Sequence, residues 1–252
     1  MGLDARFIKL DGWKTRQKSK QEKKMGIVTL GIPQQIVIEL ARLNNSMTFV
    51  ETGTFHGGTT RWAANYFEVV HTIERAENLY NLHSKDLSQI KGVSPHLGDS
   101  RNILPQIIAD IRGQRAVFWL DGHWSGGETA GELDECPLLD ELACLSNRTE
   151  DIILIDDARL FLCAPPLPHD PSQWATISDI LDVLSQSVRK SFVQIIDDVI
   201  FIVPDEDAVK NHLVDYAQKR SNAFWEDFGR LQRGKSSIKT RLINRLARIR
   251  RG

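Results

Sequence analysis

The stretch Phe49–Thr60, FVETGTFHGGTT, constrains the fold of this chain more than any other segment. It reads as an apolar strand closed by Glu51, a tight loop carrying Gly53, Thr54, Phe55 and Gly57, and a helix started by Thr59 or Thr60. Glycine permits the sharp turn and leaves the backbone bare toward a ligand. The helix start turns its free N–H groups to the same side. The order is E-x-G-x-x-x-G, whereas a pyrophosphate site needs G-x-G-x-x-G. A carboxylate at the strand end repels a pyrophosphate and suits a ligand with cationic or hydroxyl groups.

The rest of the chain alternates in the same manner. Pro33 sits where a first helical residue belongs, and Ile36, Val37, Leu40 and Ala41 form an apolar stripe behind it. Strands are expected at 48–53, 69–74, 93–98, 116–121 and 152–157. Helices are expected over 59–67, 76–89, from a Ser100 cap to 111, and over 136–146. Such alternation predicts a parallel sheet with helices on both faces. Phe192–Asp197 and Val199–Val203 are then joined by so short a turn that they must pair antiparallel. The expectation is an α/β, Rossmann-like, doubly wound seven-stranded sheet ending in an antiparallel hairpin. It occupies residues 33–204, between a basic extension at 1–32 and a helical extension with a basic amphipathic tail at 205–252.

Charge is distributed unevenly. Residues 1–24 hold 8 Lys and Arg against 3 acids, and residues 233–252 hold 8 against none, leaving 16 basic and 30 acidic residues between them. An acidic body argues against nucleic acid as a partner. In the tail, Ile238, Leu242, Leu246 and Ile249 recur at helical spacing among arginines. That pattern suits a membrane-surface helix, or a terminal helix packed on its own fold or on a second subunit in a homodimer. Three cysteines form no CxxC pair, and the first residues lack the apolar core of a secretory leader, so the expected setting is cytoplasmic.

In an open α/β sheet the ligand lies beyond the carboxyl ends of the strands. Those ends are Glu51, Glu74, Asp99, Asp121, and Asp156 with Asp157. A lone strand-end acid is ordinarily a cap or turn former; five such ends on one rim point to a site. Asp121, Asp156 and Asp157 from adjacent strands repel one another unless a cation lies between them. All-oxygen ligation suggests Mg²⁺, which would acidify a bound hydroxyl.

The glycine motif resembles that of class I S-adenosylmethionine-dependent methyltransferases. Together with LDGHW at Leu120–Trp124 and LIDD at Leu154–Asp157, it is similar to divalent-metal-dependent O-methyltransferases. The likeness is to the macrolide-sugar enzymes related to macrocin O-methyltransferase and, more distantly, to catechol O-methyltransferase. It covers roughly residues 33–204. The resemblance implies that Glu51, Gly53 and Gly57 line the methionine end of S-adenosylmethionine, with Thr54, Phe55 and Thr59 also contacting the cofactor. Glu74 would bind its ribose, Asp99 and Ser100 its adenine, with Asp121 also facing the cofactor. Asp121, Asp156 and Asp157 would hold Mg²⁺, and the acceptor would be a hydroxyl of a small molecule or saccharide. Catechol enzymes carry a Lys after the aspartate motif where this chain has His123, so His123 beside Asp121 is the expected catalytic base. His169 is a second candidate, and Trp124, Phe161 and Trp174 are candidate acceptor walls. A metal-independent methyltransferase and a non-catalytic binding protein on the same fold are the alternatives.

Overall fold

The computed structural model describes residues 31–127, 129–188 and 190–249, with side chains described up to residue 230. The basic N-terminal segment and the side chains of the C-terminal tail lie outside this range. Seven strands form one sheet: β1 (Thr48–Thr52), β2 (Val69–Glu74), β3 (Val93–Leu97), β4 (Ala116–Leu120), β5 (Ile152–Ile155), β6 (Ser191–Ile196) and β7 (Val199–Pro204). Their order is β3-β2-β1-β4-β5-β7-β6. The first five are parallel, and β7 inserts antiparallel between β5 and β6. This is the class I methyltransferase arrangement that the resemblance implies.

Composition explains the order. β4, β5 and β7 are buried along their whole length and are almost wholly apolar, as strands covered on both faces must be; β1 is equally buried but carries Thr48, Glu51 and Thr52 beside Phe49 and Val50. β3 carries Pro95, which cannot donate to a ladder and is confined to an edge. Alternate residues feed two cores. Phe49, Trp119, Leu154 and Phe201 face one; Val50, Phe118, Ile153 and Ile202 face the other. The first core is covered by α1 (Gln34–Leu43), α2 (Gly58–Ala63), α3 (Glu77–Leu87) and the start of α8 (Asp207–Ile249). The second is covered by α4 (Ser100–Asp110), α5 (Leu138–Cys144), α6 (Ala158–Leu162) and α7 (Ile177–Gln186).

Helix starts differ from expectation by a residue or two, and two of the differences bear on the site. Gly57, at φ 70°, caps α2, so the helix begins at Gly58 and Thr60 is free to bond Glu51. Asp99 rather than Ser100 caps α4, accepting from the Arg101 N–H at 3.0 Å. The loop after β5 also holds α6 and α7, which the proline-rich sequence there concealed. No helix among the described residues is long and apolar enough to cross a membrane.

Val209 and Leu213 anchor α8 with no surface exposed, whereas Trp225 two turns and more beyond is 63 % exposed. Leu213→Ala is therefore expected to cost about 2–5 kcal/mol, by lost burial plus the cavity left behind. Trp225→Ala should stay within about 0.5 kcal/mol of wild type. Urea unfolding checks both, and equal losses would show that the distal helix is also packed on the body.

Candidate active site

Strand order reverses between β1 and β4, so the loops leaving these two strands diverge and open a cleft at their carboxyl ends. The cleft is lined by Gly53, Phe55, Glu74, Asp99, Ser100, Asp121 and His123, among others. Gly53 is needed here less for a ligand than for the neighbouring strand. A Cβ on it would lie 2.2 Å from the Asp121 carbonyl oxygen, and its φ is 83°. Asp121 N–H in turn donates to Thr52 O at 3.2 Å and Thr52 Oγ1 at 3.1 Å, closing the seam between the two strand ends.

Glu74 ends β2 at the base of the cleft. Its Oε2 accepts from the Phe55 N–H and its Oε1 from the Ala76 N–H, both at 2.8 Å. A carboxylate offers about four acceptor sites, so each oxygen keeps capacity toward the cleft for a pair of hydroxyls. The remaining motif residues stand behind the wall. Glu51 is 1 % exposed, with Oε1 accepting from Thr60 and Oε2 without a hydrogen-bond partner among the described residues. Thr54 Oγ1 meets Thr72 Oγ1 at 2.5 Å. Gly57 serves the α2 turn, and Thr59 lies half-buried within that helix. Asp99 lines the cleft but has its carboxylate engaged by Arg101 at 2.6 Å and Arg75 at 3.6 Å. Ser100 is buried next to Glu141.

The acids at the far wall converge on a histidine ring. His123 Nε2 is 3.2 Å from Asp157 Oδ2, and Nδ1 is 3.6 Å from Asp121 Oδ1. Burial pulls its pKa down, but the bond to Asp157 and the charges of Asp121, Asp157 and Asp156 outweigh it, and the net shift is upward. Burial raises Asp121 well above the usual carboxylate range despite the His123 charge. Burial, and then the Asp157 charge, push Asp156 up to about 6. For Asp157 burial acts upward, but His123 and Arg159 prevail and lower it. Arg159 Nη1 is 2.6 Å from Asp157 Oδ1 and also contacts Asp198, a buried acid in the β6–β7 turn.

A divalent ion does not fit this arrangement. Among the described residues no three His, Cys, Asp or Glu side chains are placed to hold one. The His123 ring occupies the space between Asp121 and Asp157, and Arg159 already neutralises the latter. Asp156 Oδ1 accepts the Asp157 N–H at 2.8 Å, a local turn bond. The expected ligands Asp121, Asp156 and Asp157 are instead engaged here by the His123 ring, by Arg159 and by a turn N–H.

Two loops rise over this wall and are tied by Glu135, which the sequence reading passed over. Its carboxylate, 2 % exposed, accepts from Trp174 Nε1 at 2.6 Å and the Asp170 N–H at 2.8 Å, and sits 2.8 Å from His169 Nδ1. His169 is thus a loop fastener. Trp124, Phe161 and Trp174 are buried around it, with Trp174 packed 5.3 Å from the His123 ring. They pack around the two histidine rings instead of presenting open stacking faces. Asp134 of the first loop is held by Arg75 at 3.2 Å and by Arg101. Glu141, also unforeseen, lies fully buried near His123 with Oε1 unpartnered among the described residues, and burial raises its pKa to about 7. Nothing in local sequence distinguishes these acids from surface ones.

No family model matches the chain, and no curated protein matches it. Several solved structures do resemble it. TomG from Streptomyces achromogenes, an O-methyltransferase solved with SAM, is 18 % identical over 70 % of this chain and 82 % of its own, with a TM-score of 0.47. A precorrin-6y C5,15-methyltransferase from Geobacter metallireducens is 13 % identical over 72 % and 90 %, with a TM-score of 0.42. An rRNA methylase from Streptococcus thermophilus is 13 % identical over 71 % and 100 %, with a TM-score of 0.40.

The buried acids make stability pH-dependent. Burial raises Glu51 from 4.5 to about 7 in the folded chain, so the fold prefers it neutral. Its contribution is lost as pH rises from about 4.5 to about 7, by about 3 kcal/mol at full effect. Glu51→Gln is expected to lessen that loss by a comparable amount. Urea midpoints at pH 5 and pH 8 measure it; an unchanged difference between the two pH values would show that Glu51 stays ionised in the fold.

Proposed function

We propose that this chain is an S-adenosylmethionine-dependent O-methyltransferase in which His123, held between Asp121 and Asp157, takes the proton from the acceptor hydroxyl. The observation that carries the reading is this histidine's position on one wall of a switch-point cleft that has Glu74 at its base. The residues present fit the cofactor. Glu74 keeps acceptor capacity for ribose hydroxyls, and Gly53 lines the cleft without a side chain.

Bound in the cleft, S-adenosylmethionine supplies an activated methyl group. The chain's own contribution is positional and electrostatic. Asp157 accepts from His123 Nε2–H, which fixes the ring and leaves Nδ1 as the basic nitrogen on the Asp121 side. Nδ1 receives the hydroxyl proton, and the imidazolium is then stabilised by Asp157, whose pKa is lowered. The loops joined through Glu135 cover this wall and limit water. The acceptor, approaching between them, is a small-molecule or saccharide hydroxyl by the resemblance to sugar O-methyltransferases.

Calorimetric titration with S-adenosylhomocysteine is expected to give micromolar binding, retained within a few-fold in His123→Ala. That variant should lose about 10²–10⁴ in kcat on a hydroxylated acceptor. No binding by folded wild-type protein would overturn the cofactor assignment. Binding with no turnover on a broad panel of hydroxylated acceptors would favour a binding protein on this fold. Turnover should survive EDTA; a loss in EDTA restored by Mg²⁺ would replace the histidine base with the metal-assisted form.

The pH profile tests the base directly. Neutral His123 is the working form and its pKa lies above the usual histidine value, so kcat/KM should rise with pH along a limb centred above that value. Asp157→Asn removes the principal upward influence and is expected to shift the limb to lower pH. A limb that stays in place assigns the titration to another group.

A further inference from the structure

The last helix offers one apolar face to two different surroundings. Over its first turns that face is buried: Val209 and Leu213 belong to the core, and Tyr216 and Ala217 pack against it. Arg220, 2.6 Å from Asp197, makes the last ion pair to the body among the described residues. From Ser221 to Phe228 every residue is exposed, including Phe224, Trp225 and Phe228. The helical backbone nevertheless continues to Ile249, about 45 Å beyond Arg220 at the usual rise per residue. At 100° per residue, the face of Leu213 and Ala217 runs on through Phe224, Phe228, Leu231, Ile238, Leu242 and Leu246.

Charge changes along the same stretch. Residues 228–252 contain nine Lys and Arg and no acid, on a chain whose middle is strongly acidic. We propose that the distal half of α8 is a docking element for an anionic lipid surface. Its aromatic and aliphatic stripe enters the headgroup boundary, and its basic residues meet acidic headgroups. Phe224 and Phe228 stand at the start of the stripe with exposed Trp225 beside it, and aromatic rings favour a membrane interface. Too charged to span a bilayer, the helix lies along it.

The same features disfavour the two other occupants. Self-pairing of this segment in a second copy sets like charges along one another, and Lys235 falls on the seam between Leu231 and Ile238. On a lipid surface Lys235 extends its stem to the headgroups. Nucleic acid would use the arginines but leave the apolar stripe in water. The proposal stands independently of the methyltransferase assignment.

Flotation of the full chain with phosphatidylcholine vesicles, with and without about 30 % phosphatidylserine, tests it. Binding is expected only with phosphatidylserine. It should weaken about tenfold in Arg241→Glu with Arg245→Glu, and about as much in Trp225→Ala with Phe228→Ala, with thermal midpoints unchanged. Absence of binding to either vesicle overturns the proposal. So does full retention of binding in the aromatic variant with displacement by single-stranded RNA, which assigns the helix to polyanions in general. A dimer in sedimentation that the aromatic variant dissociates, without vesicle binding, assigns the stripe to a second copy.

Discussion

A side chain at Gly53 would place its first carbon 2.2 Å from the carbonyl oxygen of Asp121, and much of the candidate site follows from that approach. Because β1 and β4 meet with nothing between their ends, Asp121 can bond back to Thr52 and the next residues are set directly over the seam. Gly122 repeats the constraint: a Cβ there would lie 3.1 Å from both Thr52 Oγ1 and Glu141 Oε1. His123 is therefore delivered to the cleft wall by two close-packed strand ends and not by a free loop. A side chain placed by sheet ends holds its position better than one carried by a mobile segment.

The rim also shows how a protein resolves a crowd of carboxylates. Glu51, Asp121, Asp156 and Glu141 are all raised by burial, whereas Asp157 and Asp99 are lowered by bonded cations. Environments that push neighbouring acids apart in pKa allow some to remain neutral while others stay charged. Here the cations are His123, Arg159, Arg101 and Arg75, all from the chain itself. That distribution leaves His123 as the ionisable group between two acids at the cleft, the feature on which the proposed role as proton acceptor rests.

The sheet was legible because each signal was local. Apolar runs of four or five residues marked strands buried on both faces, and Asp197-Asp198 between β6 and β7 left no alternative to a hairpin. The rim was legible because a parallel sheet sends every strand end to one side. What escaped was everything decided by side-chain partners distant in sequence. Glu135 reads as a surface acid until Trp174 and His169, more than thirty residues away, are folded onto it. Asp198 reads as a turn residue until Arg159 reaches it. Trp124 and Trp174 looked like substrate-facing rings because nothing in their neighbourhood revealed that the loops close over each other.

The same distinction between local and distant determinants explains α8. Helical periodicity along residues 207–249 is continuous, so a sequence reading sees one amphipathic helix. Its environment is not continuous: the apolar face is core as far as Ala217 and solvent-exposed from Phe224. An exposed face of that composition carries a standing cost of hydration, and the switch to an all-basic polar side occurs over the same residues. Packing onto its own acidic body would satisfy the charge but place the aromatics on a polar surface. An anionic, apolar-bounded interface satisfies both sides of the helix at once.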